Sequence, residues 1–326
     1  MTQAAFYCVS SGIYFLGAVG MINSLRLVGH TEPIFLLDCG LTEAQRELLE
    51  PHVTVVPAPR DAPPYLLKTV APLKHPAKVT VLIDVDMIVT RPLSELIERA
   101  AGGNVVAFRN DIDRFVPEWG ELLGLGTARR RPYLSSGLVL LGGSPGVEVL
   151  RLMDECLTRA DFDLSLDFSR KDAPDHPFLF LDQDVLNAIL CTRVEPDRGV
   201  VLDPKLAPIQ PFRGLRVLDD ATLRCAYRDG VEPYVVHHFI RKPWLERVYH
   251  GIYSRLLARL LLGDDVAVRV PASDVPLRMR NGPLARLERK RVDVQDLVRW
   301  YARDVIPEWL GARANALRRC RAPGRR

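Results

Sequence analysis

Val79-Thr80-Val81-Leu82-Ile83-Asp84-Val85-Asp86-Met87-Ile88-Val89-Thr90-Arg91 is an apolar, β-branched run interrupted by two acids. That composition predicts a buried strand. In a continuous strand, period-2 alternation carries Asp84 and Asp86 to one face and Val85 to the other. Two like charges so close to a core are costly until something neutralises them. A divalent cation does so, and an oxygen pair suits Mg²⁺ or Mn²⁺. The plain alternative is a strand end whose aspartates face solvent, since Asp-x-Asp is too common to decide by itself.

On the N-terminal side of this run the chain alternates between strand and helix patterns. Ala5–Ser10 reads as a strand, Tyr14–Val28 as a helix with Leu16, Val19, Ile22 and Leu25 at helical spacing, and Pro33–Asp38 as a second strand. Thr42 with Gln45 three residues on has the form of a capping box opening a helix. Val53–Val56 is a third short strand, and Lys68–Leu73 a helix that ends before His75-Pro76. This alternation predicts an α/β protein with a parallel, Rossmann-like sheet and right-handed crossovers. On the C-terminal side, 104–108, Tyr133–Leu141, Val200–Leu202 and Val235–Phe239 read as strands, with Ile209 and Val217 in further short ones. Gly146–Arg159, a segment opening at Leu181, and Tyr249–Leu262 read as helices. Gly137 inside a strand suggests close approach of a ligand or another backbone.

The charge is unevenly spread. Residues 278–326 hold fourteen Lys/Arg against five Asp/Glu, whereas the whole chain of 326 residues is only +4, which leaves the body acidic at −5. A basic segment of this kind suits an anionic surface. Val292, Asp293, Leu297, Val298, Trp300, Tyr301, Val305 and Ile306 lie near helical spacing among arginines, and Trp300, Tyr301 and Trp309 are side chains suited to a membrane interface. The competing reading packs that stripe on the body. The six cysteines are scattered, without Cys-x-x-Cys, as in a reducing cytoplasm. No run approaches the roughly 20 apolar residues of a membrane span, and the run after Ile13 lacks the basic flank of a secretory signal. The expected division is 1–250 as a catalytic domain and 251–326 as a helical extension with a basic amphipathic tail.

Other polar groups stand at strand ends, where open parallel sheets bind ligands. His237 and His238 end one strand, and either can join Asp84 and Asp86 as an imidazole ligand or sit as a satisfied structural histidine. Alternation from Val235 favours His237. Lys68 can meet a phosphate or be a helix-surface residue. Lys242 is followed by Pro243 and Trp244, which can hold its amine in place. Asp182 and Gln183 open a helix, where first-turn acids are also ordinary.

Taken in order, these pieces resemble the family-8 glycosyltransferases, the glycogenin-like and bacterial lipopolysaccharide galactosyl- and glucosyltransferases of GT-A fold. The matching segments are Tyr14 with Asn23-Ser24-Leu25, Lys68 with Pro72, Val81–Asp86, Tyr133-Leu134-Ser135-Ser136-Gly137, Leu181–Asn187, and Val236-His237 through Lys242-Pro243-Trp244, across residues 5–245. The resemblance implies a GT-A mixed sheet flanked by helices. It also implies Asp84, Asp86 and His237 as ligands of Mn²⁺ (or Mg²⁺), Tyr14 at the donor nucleoside, and Lys68 and Ser136 at the donor. Asp182 would hold donor-sugar hydroxyls, Gln183 would lie beneath the anomeric carbon, and Lys242 would grip the diphosphate. Two departures stand out: Ser135 replaces the family's Asn, and the His-to-Lys segment is one residue shorter and lacks its glycine.

The implied activity is metal-dependent, retaining transfer of a hexose from a nucleotide-diphosphate sugar, such as a UDP-sugar, to an acceptor hydroxyl of a glycan or glycolipid. Three other readings compete. A sugar nucleotidyltransferase would carry a glycine-rich basic loop after the first strand, where this chain has Ser10-Ser11-Gly12-Ile13-Tyr14. A non-catalytic nucleotide-sugar-binding protein would keep the fold without turnover. Nucleic-acid binding through the tail lacks a stacking module. The expected location is cytoplasmic, peripheral at the inner membrane face through the tail.

Overall fold

The computed structural model describes residues 3–59, 62–163, 165–166, 176–239, 242–245 and 251–280, with scattered positions between 282 and 298. In chain order the elements are β1 (Ala4–Ser10), α1 (Phe15–Leu27), β2 (Ile34–Asp38), α2 (Glu43–Leu49), β3 (Thr54–Pro57), α3 (Val70–Lys74), β4 (Val79–Ile83), β5 (Met87–Val89), α4 (Ser94–Ala101) and β6 (Val105–Arg109). Then follow α5 (Trp119–Leu122), β7 (Leu134–Gly142), α6 (Gly143–Leu157), α7 (Asp182–Thr192), β8 (Gly199–Leu202), β9 (Arg216–Asp219), β10 (Arg224–Ala226), β11 (Val235–His237) and α8 (Gly251–Leu262).

Seven strands form one mixed sheet in the order β3-β2-β1-β4-β7-β6-β8. The first four run parallel, as the βαβ alternation predicts, while β7 lies antiparallel to both of its neighbours. Strand alternation divides the core. Val79, Val81 and Ile83 join Phe6 and Cys8 under α1, α4 and α8; Leu82 joins Ala5 and Tyr7 under α3, α5, α6 and α7. The capping box forms as read: Gln45 N–H donates to Thr42 Oγ1 at 3.3 Å and Thr42 N–H to Gln45 Oε1 at 3.0 Å.

The 79–91 run is not one strand. β4 stops at Ile83, Asp84-Val85-Asp86 makes a turn, and β5 resumes in a different sheet. Met87 N–H donates to Asp84 O at 3.1 Å to close the turn, and Asp84 N–H donates to Gly137 O at 2.8 Å. β5 then pairs antiparallel with β11, with His237 opposite Met87. The two aspartates therefore converge through a turn rather than through the pleat.

α8 packs on α1, and its Leu256, Leu257 and Leu260 are fully buried in the same core. Buried Asn23 fixes that contact: its Nδ2 donates to Leu260 O and Val268 O, and its Oδ1 accepts Val268 N–H. Among the described residues no helix is long and apolar enough to cross a membrane. Most of the tail stripe read above, from Val292 to Trp309, lies outside the described residues, apart from an exposed Val298.

Candidate functional site

Asp84 follows the carboxyl end of parallel strand β4, and His237 ends β11. One ligand atom each from Asp84, Asp86 and His237 lies within 4.8 Å of the other two. His237 Nε2 stands 3.1 Å from Asp86 Oδ1. His238 takes the other direction: its ring is buried against Phe212 and Tyr253, at 6.2 and 5.1 Å between centroids. The alternation that favoured His237 therefore agrees with the geometry.

Lys68, just ahead of α3, reaches across to this cluster. Its Nζ lies 2.7 Å from Asp84 Oδ1 and 2.9 Å from Asp182 Oδ2, so one ammonium joins the end of β4 to the start of α7. Burial works against that charge, but Asp182 and Asp84 overcome it and raise the Lys68 pKa above its ordinary value. Lys242 Nζ donates to Asp86 Oδ2, to His238 O at 2.8 Å and to Phe239 O at 2.8 Å. These three acceptors match the three protons of an ammonium. Tyr14 presents its ring 5.8 Å from that nitrogen, and Trp244, packed edge-on to Tyr14, donates Nε1–H to Ile13 O at 2.7 Å. The Lys242-Pro243-Trp244 segment is therefore held as its sequence suggests, with the amine turned inward.

Two observations test the cluster as a cation site. Asp86 Oδ1 is buried without a hydrogen-bond donor, with His237 Nε2 3.1 Å away as its ion-pair neighbour. Gly137 closes the opposite side. A Cβ on it would lie 2.4 Å from Met87 Cε, 3.0 Å from His237 Cε1 and 3.2 Å from Asp84 Oδ2. The donor set is two carboxylates and an imidazole, which suits Mn²⁺ or Mg²⁺. The residues fit the ion. Burial raises the Asp86 carboxyl, but His237 and Lys242 outweigh it and hold it well below the usual carboxylate range. Burial raises Asp84, with Lys68 opposing and Asp86 adding to the shift.

The start of α7 supplies the remaining polar groups. Asp182 is buried beside Lys68, and Gln183 Oε1 accepts the Ser136 N–H at 3.3 Å. Asn187, one turn on, pins the helix to β7: it accepts Leu134 N–H and donates to Leu134 O, both at 2.8 Å. Leu181, the residue before Asp182, has φ +55° and ψ −129°. For a residue with a Cβ such a conformation costs of order 1–3 kcal/mol. Ser135 accepts the Gly137 N–H through its hydroxyl at 3.3 Å.

The structure thus brings Asp84, Asp86, His237, Lys68, Asp182, Lys242 and Tyr14 into one connected cluster, with Ser136 and Gln183 joined beside it. Sequence reading did not single out Arg114. Its Nε donates to Asp184 Oδ1 at 2.9 Å, and Tyr133 O–H donates to the same oxygen at 2.6 Å. The available signal was Asp184 itself, an acid among the buried Val185, Leu186, Ala188 and Ile189, which demands a cation that nothing nearby in sequence supplies.

No family model matches the chain, and no curated protein matches it by sequence. Solved structures do. A galactosyltransferase, LgtC, crystallised with donor and acceptor sugar analogs, is similar over 82% of this chain and 98% of that one, at 17% identity and a TM-score of 0.51. The bifunctional glycosyltransferase WbbM in its apo form is similar over 79% of this chain and 50% of that one, at 14% identity and a TM-score of 0.50. The likeness is one of fold: the chain has the mixed-sheet GT-A architecture that its motif order implies.

Proposed function

We propose that this GT-A chain is a metal-dependent, retaining glycosyltransferase that moves a hexose from a UDP-sugar or similar nucleotide-diphosphate sugar to a hydroxyl of a glycan or glycolipid. The observation that carries the reading is the convergence of Asp84, Asp86 and His237 beside Asp182 and Gln183, at the strand ends where such folds bind ligands. LgtC, crystallised with donor and acceptor sugar analogs on a similar fold, supports it. In this reading residues 1–250 are the catalytic unit and 251–326 the extension.

Asp84, Asp86 and His237 would hold Mn²⁺ or Mg²⁺. When bound, the ion offsets negative charge developing on the departing diphosphate. Lys68 adds a positive charge on the Asp84–Asp182 side of the cluster, and Tyr14 provides a ring for the nucleoside. Asp182 accepts donor-sugar hydroxyls. Gln183, its carboxamide oriented by the Ser136 N–H, sits under the anomeric carbon. A neutral amide is a feeble nucleophile, so Gln183 positions the sugar or stabilises an oxocarbenium ion. Retention then follows a front-face route in which the leaving diphosphate helps to deprotonate the acceptor hydroxyl. For Lys242 to grip that diphosphate, its ammonium must release one of its three present partners.

Thermal shift with a panel of nucleotide sugars tests the reading. A donor at 100 times its Kd adds about 2.7 kcal/mol to the folded state. The expected result is a shift by a UDP-sugar with Mn²⁺ and a smaller one in EDTA, with donor hydrolysis following the same pattern. No shift by any nucleotide sugar, or full turnover in excess EDTA, refutes it. The reading also places the enzyme in the cytoplasm with its basic tail on the inner membrane face. Each basic residue at an anionic surface adds about 1 kcal/mol. Co-sedimentation with anionic liposomes should therefore be lost when the chain is truncated after Ile306.

A further inference from the structure

Asp184 lies on the first turn of α7 and is wholly buried. Its Oδ2 accepts the Phe180 N–H at 2.8 Å, and its Oδ1 accepts Tyr133 O–H and Arg114 Nε–H. The carboxylate thus reaches back over Leu181, the residue with positive φ, and grips the backbone on its far side. Arg114 extends the grip. Its Nη2 donates to Pro177 O at 3.1 Å and to His176 O, and Trp119 Nε1 donates to Pro177 O at 2.6 Å. One carboxylate gathers two loops, near residues 114 and 177, at the turn that precedes Asp182.

We infer that Arg114, acting through Asp184 and Tyr133, is a positioning residue for the transfer reaction: it clamps the strained Leu181 turn and so aims Asp182 at Lys68 and Gln183 at Ser136. The inference rests on the glycosyltransferase reading for its catalytic consequence. Leu181 favours relaxation to negative φ, and rotation there swings the next two side chains. The turn's own bonds, Gln183 N–H to Phe180 O at 3.1 Å and Asp184 N–H to Leu181 O at 3.1 Å, are backbone bonds that a rearranged turn could replace. The side-chain clamp cannot be replaced in that way, because it fixes Phe180 and Asp184 on either side of the strained residue. An arginine suits this role. Its planar fork serves a carboxylate and two carbonyls in fixed directions, which a lysine cannot do.

The test combines Arg114→Lys, Tyr133→Phe and Leu181→Gly in the full chain. The readouts are donor kcat and KM, the Kd for UDP with Mn²⁺, and amide exchange at residues 180–185. Displacing reacting groups by a fraction of an ångström lowers kcat, and Arg114→Lys should lower it about tenfold. UDP affinity should stay within about twofold, since the diphosphate would be held at the Asp84–Asp86–His237 end, and the 180–185 amides should exchange faster. Tyr133→Phe should act in the same direction at about threefold. Leu181→Gly relieves the positive φ, so adding it to Arg114→Lys should recover most of the lost kcat. A folded Arg114→Lys with unchanged kcat, an equal loss of UDP affinity, or no rescue by Leu181→Gly overturns the inference. If Arg114→Lys does not fold, Tyr133→Phe with and without Leu181→Gly decides by the same criteria. If the wild type turns over no nucleotide sugar, the glycosyltransferase reading fails by itself. The clamp is then judged by exchange alone, and unchanged protection at 180–185 refutes it.

Discussion

Asp84 and Asp86 sit in a turn against two ammonium groups and an imidazole, whereas Asp184 sits against a guanidinium, a phenol and a backbone N–H. Both groups of acids are poorly solvated, yet their partners differ in kind. An ammonium is a compact charge with no preferred plane, so another cation can take its place. A guanidinium bonded through Nε and Nη2 to separate acceptors has one orientation. Asp86 also keeps a buried oxygen without a hydrogen bond, while the Asp184 oxygens are both engaged. The first group is arranged to exchange partners and the second to keep them. A binding carboxylate and a holding one should therefore fail differently when replaced.

The largest effect falls on stability, at Asp184. Removing one partner of a buried ion pair typically costs 3–5 kcal/mol, because the other charge is left uncompensated. Asp184→Ala would also leave Tyr133 O–H and Phe180 N–H without their acceptor. Chemical denaturation of Asp184→Ala should show a loss of that size. A loss under about 1 kcal/mol would mean that Asp184 does not hold the fold.

At Asp86 the effect moves from stability to turnover. Asp86→Asn keeps the shape and removes the charge, so transfer should fall roughly 10²–10³-fold, the scale of losing one charge-stabilising group. Some stability should go with the charge, because His237 and Lys242 favour the ionised Asp86 in the fold, but less than at Asp184, because the asparagine oxygen can still accept from Lys242. A variant that lost stability and kept activity would reverse the assignment.

The two histidines sharpen the contrast at adjacent residues. His237→Ala should weaken Mn²⁺ binding at least about tenfold, judged against the 10–100-fold commonly lost when even an outer-shell partner is removed. His238→Ala should change it less than about twofold, since that ring packs on Phe212 and Tyr253. Titration of Mn²⁺ into the two variants decides, and equal losses would break the triad.

These residues also show what a linear reading reaches. The β-α-β order, the capping box, the α7 helix and the turning of His237, not His238, toward Asp86 all depend on local periodicity or spacing, and each was legible. The turn at 84–86 was not. Alternation alone cannot distinguish a continuous strand from one that leaves the sheet to pair with β11, about 150 residues away. Arg114 was invisible for a similar reason. It lies 70 residues from Asp184 in a loop with no period. The inward turn of Lys242 depends on the backbone carbonyls of His238 and Phe239, which no side-chain motif records.

The smallest effect is the control that both classes need, a stabilising group remote from either. Thr42 and Gln45 close the N-terminus of α2 reciprocally, and the Gln45 amide also donates to Gly12 O at 3.3 Å. Thr42→Ala removes the acceptor for Gln45 N–H, and losing such a cap costs about 1 kcal/mol. α2 contributes only Leu49 to the buried core and no side chain to the cluster at Asp84. The expected outcome is a modest fall in the denaturation midpoint, with donor KM, kcat and Mn²⁺ affinity unchanged. Such a variant calibrates the others, because it shows what loss of stability alone does to turnover. If Thr42→Ala lowers kcat as much as Arg114→Lys does, global loosening explains both, and the clamp has no special claim on Asp182 and Gln183. If kcat is unmoved while stability falls, the losses at Asp86 and Arg114 belong to the site.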